Sequence, residues 1–124
     1  MIALDSSSLI AYLSGDRGDD VEAVETALRR KYAALPPVVL CELLSDPKLP
    51  DTVASLVLQL PLLSPADGHW ERAGRLRSRL LARGRKAPLA DTLIAQTCLD
   101  HDVPLVTRDT DFAPFAKLAG LKLA

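Results

Sequence analysis

Ile2-Ala3-Leu4-Asp5-Ser6-Ser7-Ser8-Leu9-Ile10-Ala11-Tyr12-Leu13 sets how the rest of the chain is read. Ile2–Leu4 is a short apolar strand. A carboxylate and three hydroxyls follow it, ahead of the apolar run Leu9 to Leu13. Small polar side chains before an apolar run are helix N-cap chemistry. Gly15 and Gly18 in the next polar stretch end that helix.

Further along, the pattern predicts a helix over 19–31, with acids at its start and Arg29, Arg30 and Lys31 at its end, the order a helix dipole favours. A brief strand is expected over 32–35. Pro36-Pro37 then opens a helix reaching residue 44, since proline is tolerated in a first turn. Helices are expected over 52–59, 66–83, 88–100 and 111–119, and strands over 60–63, 104–107 and 121–123. Short strands alternating with helices specify a parallel sheet covered on both faces. No internal repeat, linker or low-complexity segment interrupts the pattern, so one domain spanning residues 1–124 is expected.

Composition sets limits on function. With 48% hydrophobic residues the chain can bury a core unaided, and at 4% aromatic that core is aliphatic. The formal net charge is -1. Holding nucleic acid by bulk charge is thereby excluded, and RNA binding would rest on a local basic strip and on metal in an acidic pocket. Cys41 and Cys98 lie far apart in apolar runs with no CxxC pair, and read as buried free thiols. No signal peptide and no membrane span is read, so a cytoplasmic location is expected.

The acids carry the chemistry. Asp5 and Asp109 follow predicted strands, and ligands of such sheets bind beyond the carboxyl ends of the strands. Glu42 lies in the nearly all-apolar run Val38-Val39-Leu40-Cys41-Glu42-Leu43-Leu44. Either it is a buried acid that needs a cation or a proton, or it occupies the one exposed stripe. Asp91 heads the face shared by Ile94, Ala95 and Cys98, where either a metal role or the helix dipole accounts for it. Clustered carboxylates repel at neutral pH unless a cation sits among them, and oxygen-only ligands favour Mg²⁺ or Mn²⁺. Such ions activate water and stabilise charge in phosphoryl chemistry. His69 and His101 read as surface histidines, and no serine has a histidine partner for a triad. Walker and GxGxxG motifs are absent.

Taken in order, Asp5-Ser6-Ser7, Glu42, Leu89-Ala90-Asp91-Thr92-Leu93-Ile94-Ala95 and Leu105-Val106-Thr107-Arg108-Asp109-Thr110-Asp111-Phe112 resemble the PIN-domain family. Within it they resemble the VapC-type toxin ribonucleases of toxin–antitoxin modules, over nearly the whole chain. The resemblance implies a PIN-like three-layer α/β fold, a parallel sheet of about five strands with helices on both faces. It implies an acidic pocket for one or two Mg²⁺ or Mn²⁺ ions, and RNA cleavage by metal-activated water leaving a 5′-phosphate and a 3′-hydroxyl. Asp5, Glu42, Asp91 and Asp109 match the family's acidic positions. Ser7 and Thr107 match hydroxyl positions that orient those acids. Asp111 competes with Asp109 for the fourth position. Asp109 is favoured, since Asp111 is placed to cap the last helix.

The resemblance also implies a VapB-type antitoxin and a homodimer or toxin–antitoxin hetero-oligomer. Leu9, Tyr12 and Leu13 with Val21, Val24 and Leu28 are offered as the antitoxin surface, or else as ordinary core. The basic run Arg72, Arg75, Arg77, Arg79, Arg83, Arg85 and Lys86 is either a solvated face or a guide for RNA phosphates towards Asp91. Two alternatives remain. One is a PIN-like domain without catalysis that binds a partner. The other is an Asp-dependent phosphatase on a similar sheet, against which stands Ser7 where a haloacid-dehalogenase-like enzyme has its second Asp.

Overall fold

Strand β1 (Ile2–Leu4) has its two inner residues, Ala3 and Leu4, fully buried. Backbone groups cut off from water in this way must be paired. β1 therefore runs parallel between β2 (Ala33–Ala34) and β3 (Leu105–Val106), in the order β2-β1-β3. Ile2 stands opposite Ala33, and Ala3 opposite Leu105. The computed structural model describes residues 1–124.

Helices α1 (Ser6–Leu13) and α2 (Asp19–Arg29) link β1 to β2. Four helices then precede β3: α3 (Pro37–Leu44), α4 (Asp51–Leu58), α5 (His69–Ala82) and α6 (Leu89–His101). A 3-10 turn (Thr110–Phe112) and α7 (Ala113–Ala119) follow it. Gly120 ends α7 at φ 77°, a left-handed conformation that costs glycine little.

The sheet has three strands, not the expected five or so. The segments expected at 60–63 and 121–123 each contribute a single parallel bridge, Leu62 to Leu35 and Leu123 to Leu105. At the first, Leu35 N–H donates to the Pro61 carbonyl and Leu63 N–H donates to the Leu35 carbonyl. The next rungs of that ladder would need amide protons from Pro61 and Pro37, which have none. An apolar run signals a strand, but proline decides whether the ladder can extend.

One continuous aliphatic core fills the interior, with Phe112 and Phe115 its only phenylalanines, both fully buried. Two open readings are decided here, and the expectation of two buried thiols is corrected. Leu9 and Val24 are fully buried, so they are core and not partner surface. Cys98 is buried but Cys41 is exposed. α3 buries Val39 and Leu43 yet leaves Leu44 and Glu42 outward, so Glu42 occupies the exposed stripe.

His69 is the clearest correction. It is buried, with its ring nitrogen Nδ1 3.3 Å from Asp100 Oδ2. Asp100 also accepts from Arg72 Nε and Nη2 at 2.9 Å each and from Gln96 Nε2 at 2.8 Å. Burial works to raise the Asp100 carboxyl, but these donors together hold it below the usual range. The network ties the start of α5 to the end of α6. Asp100→Ala should lower the unfolding free energy in urea by about 2 kcal/mol, because it strands the donors of a buried histidine and glutamine. Arg72→Ala should cost clearly less, since Arg72 reaches solvent. Equal losses from the two would contradict this account.

Candidate metal centre

β1 and β3 are neighbours whose connections leave in opposite directions across the sheet, a switch point beyond whose carboxyl ends a crevice forms. Asp5 follows β1, and Thr107-Arg108-Asp109 follows β3. Asp5 is at the N-cap of α1, with φ -83° and ψ 152°, but its side chain does not cap the helix. Its Oδ2 accepts from Ser7 Oγ and from Thr107 Oγ1, both at 2.7 Å. The Asp109 amide in turn donates to Thr107 Oγ1 at 3.0 Å. One threonine hydroxyl thus fixes Asp5 and the backbone of Asp109 together.

Asp109, not Asp111, is the capping residue. Its Oδ1 accepts the Asp111 amide at 2.9 Å and opens the 3-10 turn. Asp111 lies within the turn, exposed, directly before the buried Phe112. Asp91 is in the first turn of α6. Asp91, Asp109 and Asp111 each present an oxygen within 4.8 Å of the others. Asp5 and Glu42 lie outside that group of three oxygens, but near enough for their charges to act on Asp91.

The Asp91 carboxyl is pushed up to about 6. Burial is the main cause, followed by the charges of Asp109, Asp5, Asp111 and Glu42. Glu42 is raised as well, first by partial desolvation of its carboxyl and then by the charge of Asp5, against a bond from Ser6 at 3.5 Å. Burial, with some help from Asp5, lifts the Cys98 thiol to about 12, which marks it as inert packing under the site. An all-carboxylate donor set whose members destabilise one another's charge fits a hard divalent cation.

The sequence reading missed Arg108. Its Nε and Nη2 grip Asp20 at 2.8 and 3.1 Å, and Ser8 Oγ donates to the same carboxylate at 2.8 Å. Arg108 therefore ties the loop after β3 to the start of α2. Its position between Thr107 and Asp109 was the available signal, but the partner lies 88 residues away.

The fold and the site define an α/β protein with an acidic pocket at the carboxyl edge of a parallel sheet. The PIN domain profile matches residues 2–118, and the chain belongs to the PIN domain family. PIN domains are generally nucleases. No curated protein matches the chain by sequence. Among solved structures, VapBC2 from Rickettsia felis, bound to a DNA fragment from its promoter, is 22% identical with a TM-score of 0.74, covering 100% of this chain and 98% of that one. VapBC-5 from Mycobacterium tuberculosis is 23% identical with a TM-score of 0.68, covering 98% and 95%. FitAcB from Neisseria gonorrhoeae is 21% identical with a TM-score of 0.70, covering 99% and 96%. At these identities the likeness is one of fold.

A carboxyl whose pKa rises on folding favours the folded state most below the unfolded value near 3.9. That contribution is lost as pH rises through about 6, the Asp91 value. A two-unit rise would be worth roughly 3 kcal/mol unscreened, and solvent access at this half-buried group reduces it to about 1 kcal/mol. In chelator, Asp91→Asn should therefore be more stable than wild type at pH 7.5, and the gap should close towards pH 5. Thermal unfolding across that range measures it, and a gap independent of pH would refute the assignment.

Proposed function

We propose that the chain is the ribonuclease toxin of a VapBC-type toxin–antitoxin module, a metal-dependent endonuclease that acts on RNA. The observation that carries this is the meeting of the Asp91, Asp109 and Asp111 oxygens beside a fixed Asp5, in a PIN family fold. The solved neighbours support the module assignment: two are VapBC proteins, and a third is a toxin–antitoxin complex from Klebsiella pneumoniae.

Asp5, Asp91 and Asp109, with Asp111 beside them and Glu42 at the rim, are the residues that would hold Mg²⁺ or Mn²⁺. Such an ion, when bound, supplies Lewis-acid activation of water and charge stabilisation at the phosphate. The protein's part is positional. Ser7 and Thr107 occupy Asp5 Oδ2 and leave its Oδ1 without a protein partner. The Asp111 amide likewise fixes Asp109 Oδ1. Asp91 gives up its proton near pH 6, so at neutral pH it meets a cation as a carboxylate. Asp5→Asn should lower Mn²⁺-dependent cleavage of structured RNA at least about a hundredfold, as loss of a group engaged with the reacting centre does, while leaving the far-UV spectrum unchanged. Equal cleavage by both proteins would overturn the nuclease reading.

For the antitoxin, the supporting surface is a groove of about 270 Å³ lined by Ile10, Leu13, Leu43, Leu49, Val53 and Glu42. Ile10 is 52% exposed there, an apolar side chain at a cost unless a partner covers it. The double variant Ile10→Asp/Leu13→Asp should lose co-purification with a co-expressed VapB-type antitoxin and keep cleaving RNA. Retained co-purification would place the partner elsewhere.

A further inference from the structure

Charge is strongly segregated in this chain. Seven cations run from Arg72 to Lys86, with Glu71 the only acid beside them, so residues 69–86 carry +6. The whole chain has 15 basic and 16 acidic residues, so the remainder holds 8 against 15, a balance of -7. A polyanion approaching this protein is drawn chiefly to that segment.

Two of the arginines serve the fold. Arg72 is held by Asp100, and Arg77 Nε donates to the Ala87 carbonyl at 2.7 Å. The side chains of Arg75, Arg79, Arg83 and Arg85 make no hydrogen bond or ion pair within the protein. Arg75 and Arg79 are four residues apart on α5, about 6 Å along the axis. With Gln96 and Leu99 of α6 and Ala119 at the end of α7, they line an open cleft of about 640 Å³. A second cleft, of about 590 Å³, lies along the earlier part of α7 and is lined by Arg85, Lys117, Pro114 and Thr110. Thr110 stands between Asp109 and Asp111, so the second cleft borders the acidic group.

We propose that these two clefts form a docking track for the phosphodiester backbone of a nucleic-acid strand, with its far end at Asp109 and Asp111. The track's direction rests on the nuclease reading, whereas its charge does not. No aromatic side chain lines either cleft, so bases have nothing to stack on, and the track grips phosphates without regard to sequence. Target choice would then be made at the acidic end, and the track would supply affinity.

The test uses the Asp5→Asn chain in chelator, so that binding is read without cleavage. Fluorescence anisotropy follows a labelled oligoribonucleotide, the matching single-stranded DNA, and polyglutamate, across a salt titration. Arg75→Gln/Arg79→Gln, and separately Arg85→Gln/Lys117→Gln, should weaken binding of RNA. Each pair should also flatten the slope of log affinity against log salt by about 1.4, two phosphate contacts at about 0.7 each for a single strand. Arg29→Gln/Arg30→Gln on α2 should leave the slope unchanged. An equal change in the DNA arm supports recognition of the backbone. A change confined to polyglutamate overturns the track in favour of an acidic protein partner. Slopes alike for the track and α2 variants also overturn it. Binding with the expected slopes in a protein whose wild type cleaves no RNA would sink the nuclease reading and leave the track standing.

Discussion

Carboxylates crowded at one edge of a sheet repel one another, by about 4 kcal/mol for a pair roughly 4 Å apart at an effective dielectric near 20. Much of the local structure around the pocket answers that repulsion. Asp5 accepts hydrogen bonds from two hydroxyls, Asp109 accepts one from a backbone amide, and Asp91 is set in the first turn of a helix. Phe112, fully buried, pins the turn that carries Asp111 so that it cannot swing away. Arg108 spends its charge on Asp20, outside the cluster, and so braces the loop without neutralising the pocket. The acids stay close together, and the raised Asp91 and Glu42 carboxyls register the mutual repulsion that a cation would relieve.

The positions of the acids were legible because strand ends are local features. Asp5 and Asp109 announce themselves by following apolar runs, and the shared helical face of Asp91, Ile94, Ala95 and Cys98 was visible in its spacing. What failed depended on distant partners. His69 looked like a surface residue because Asp100, which lets it be buried, is 31 positions away. The apolar run around Glu42 suggested burial, but no element covers the outer stripe of α3. The strand count overshot because hydrophobicity reports burial and not the supply of amide protons, which Pro37 and Pro61 withhold. Asp109 and Asp111 exchanged expectations over capping, because either carboxylate is near the start of a helical turn, and only the bond to the Asp111 amide separates them.

Glu42 belongs to two places at once. It lines the apolar groove between α1, α3 and α4, and its charge is felt by Asp91. A segment lying in that groove would border the acidic pocket, so a partner's grip and its interference with the site need not be separate contacts. The basic stripe runs along α5 and α7 and reaches the same acidic pocket from another side, so the pocket is where the two surfaces meet.

The bond between Asp5 and Thr107 joins residues 102 positions apart. Chains leave the ribosome from their N-terminus, so Asp5 emerges 102 residues before the threonine that holds it. No N-terminal fragment that stops short of Thr107 contains the assembled pocket, however well its first helices fold. The pocket therefore assembles only once the segment carrying Thr107 and Asp109 has been made, and not gradually as the chain lengthens.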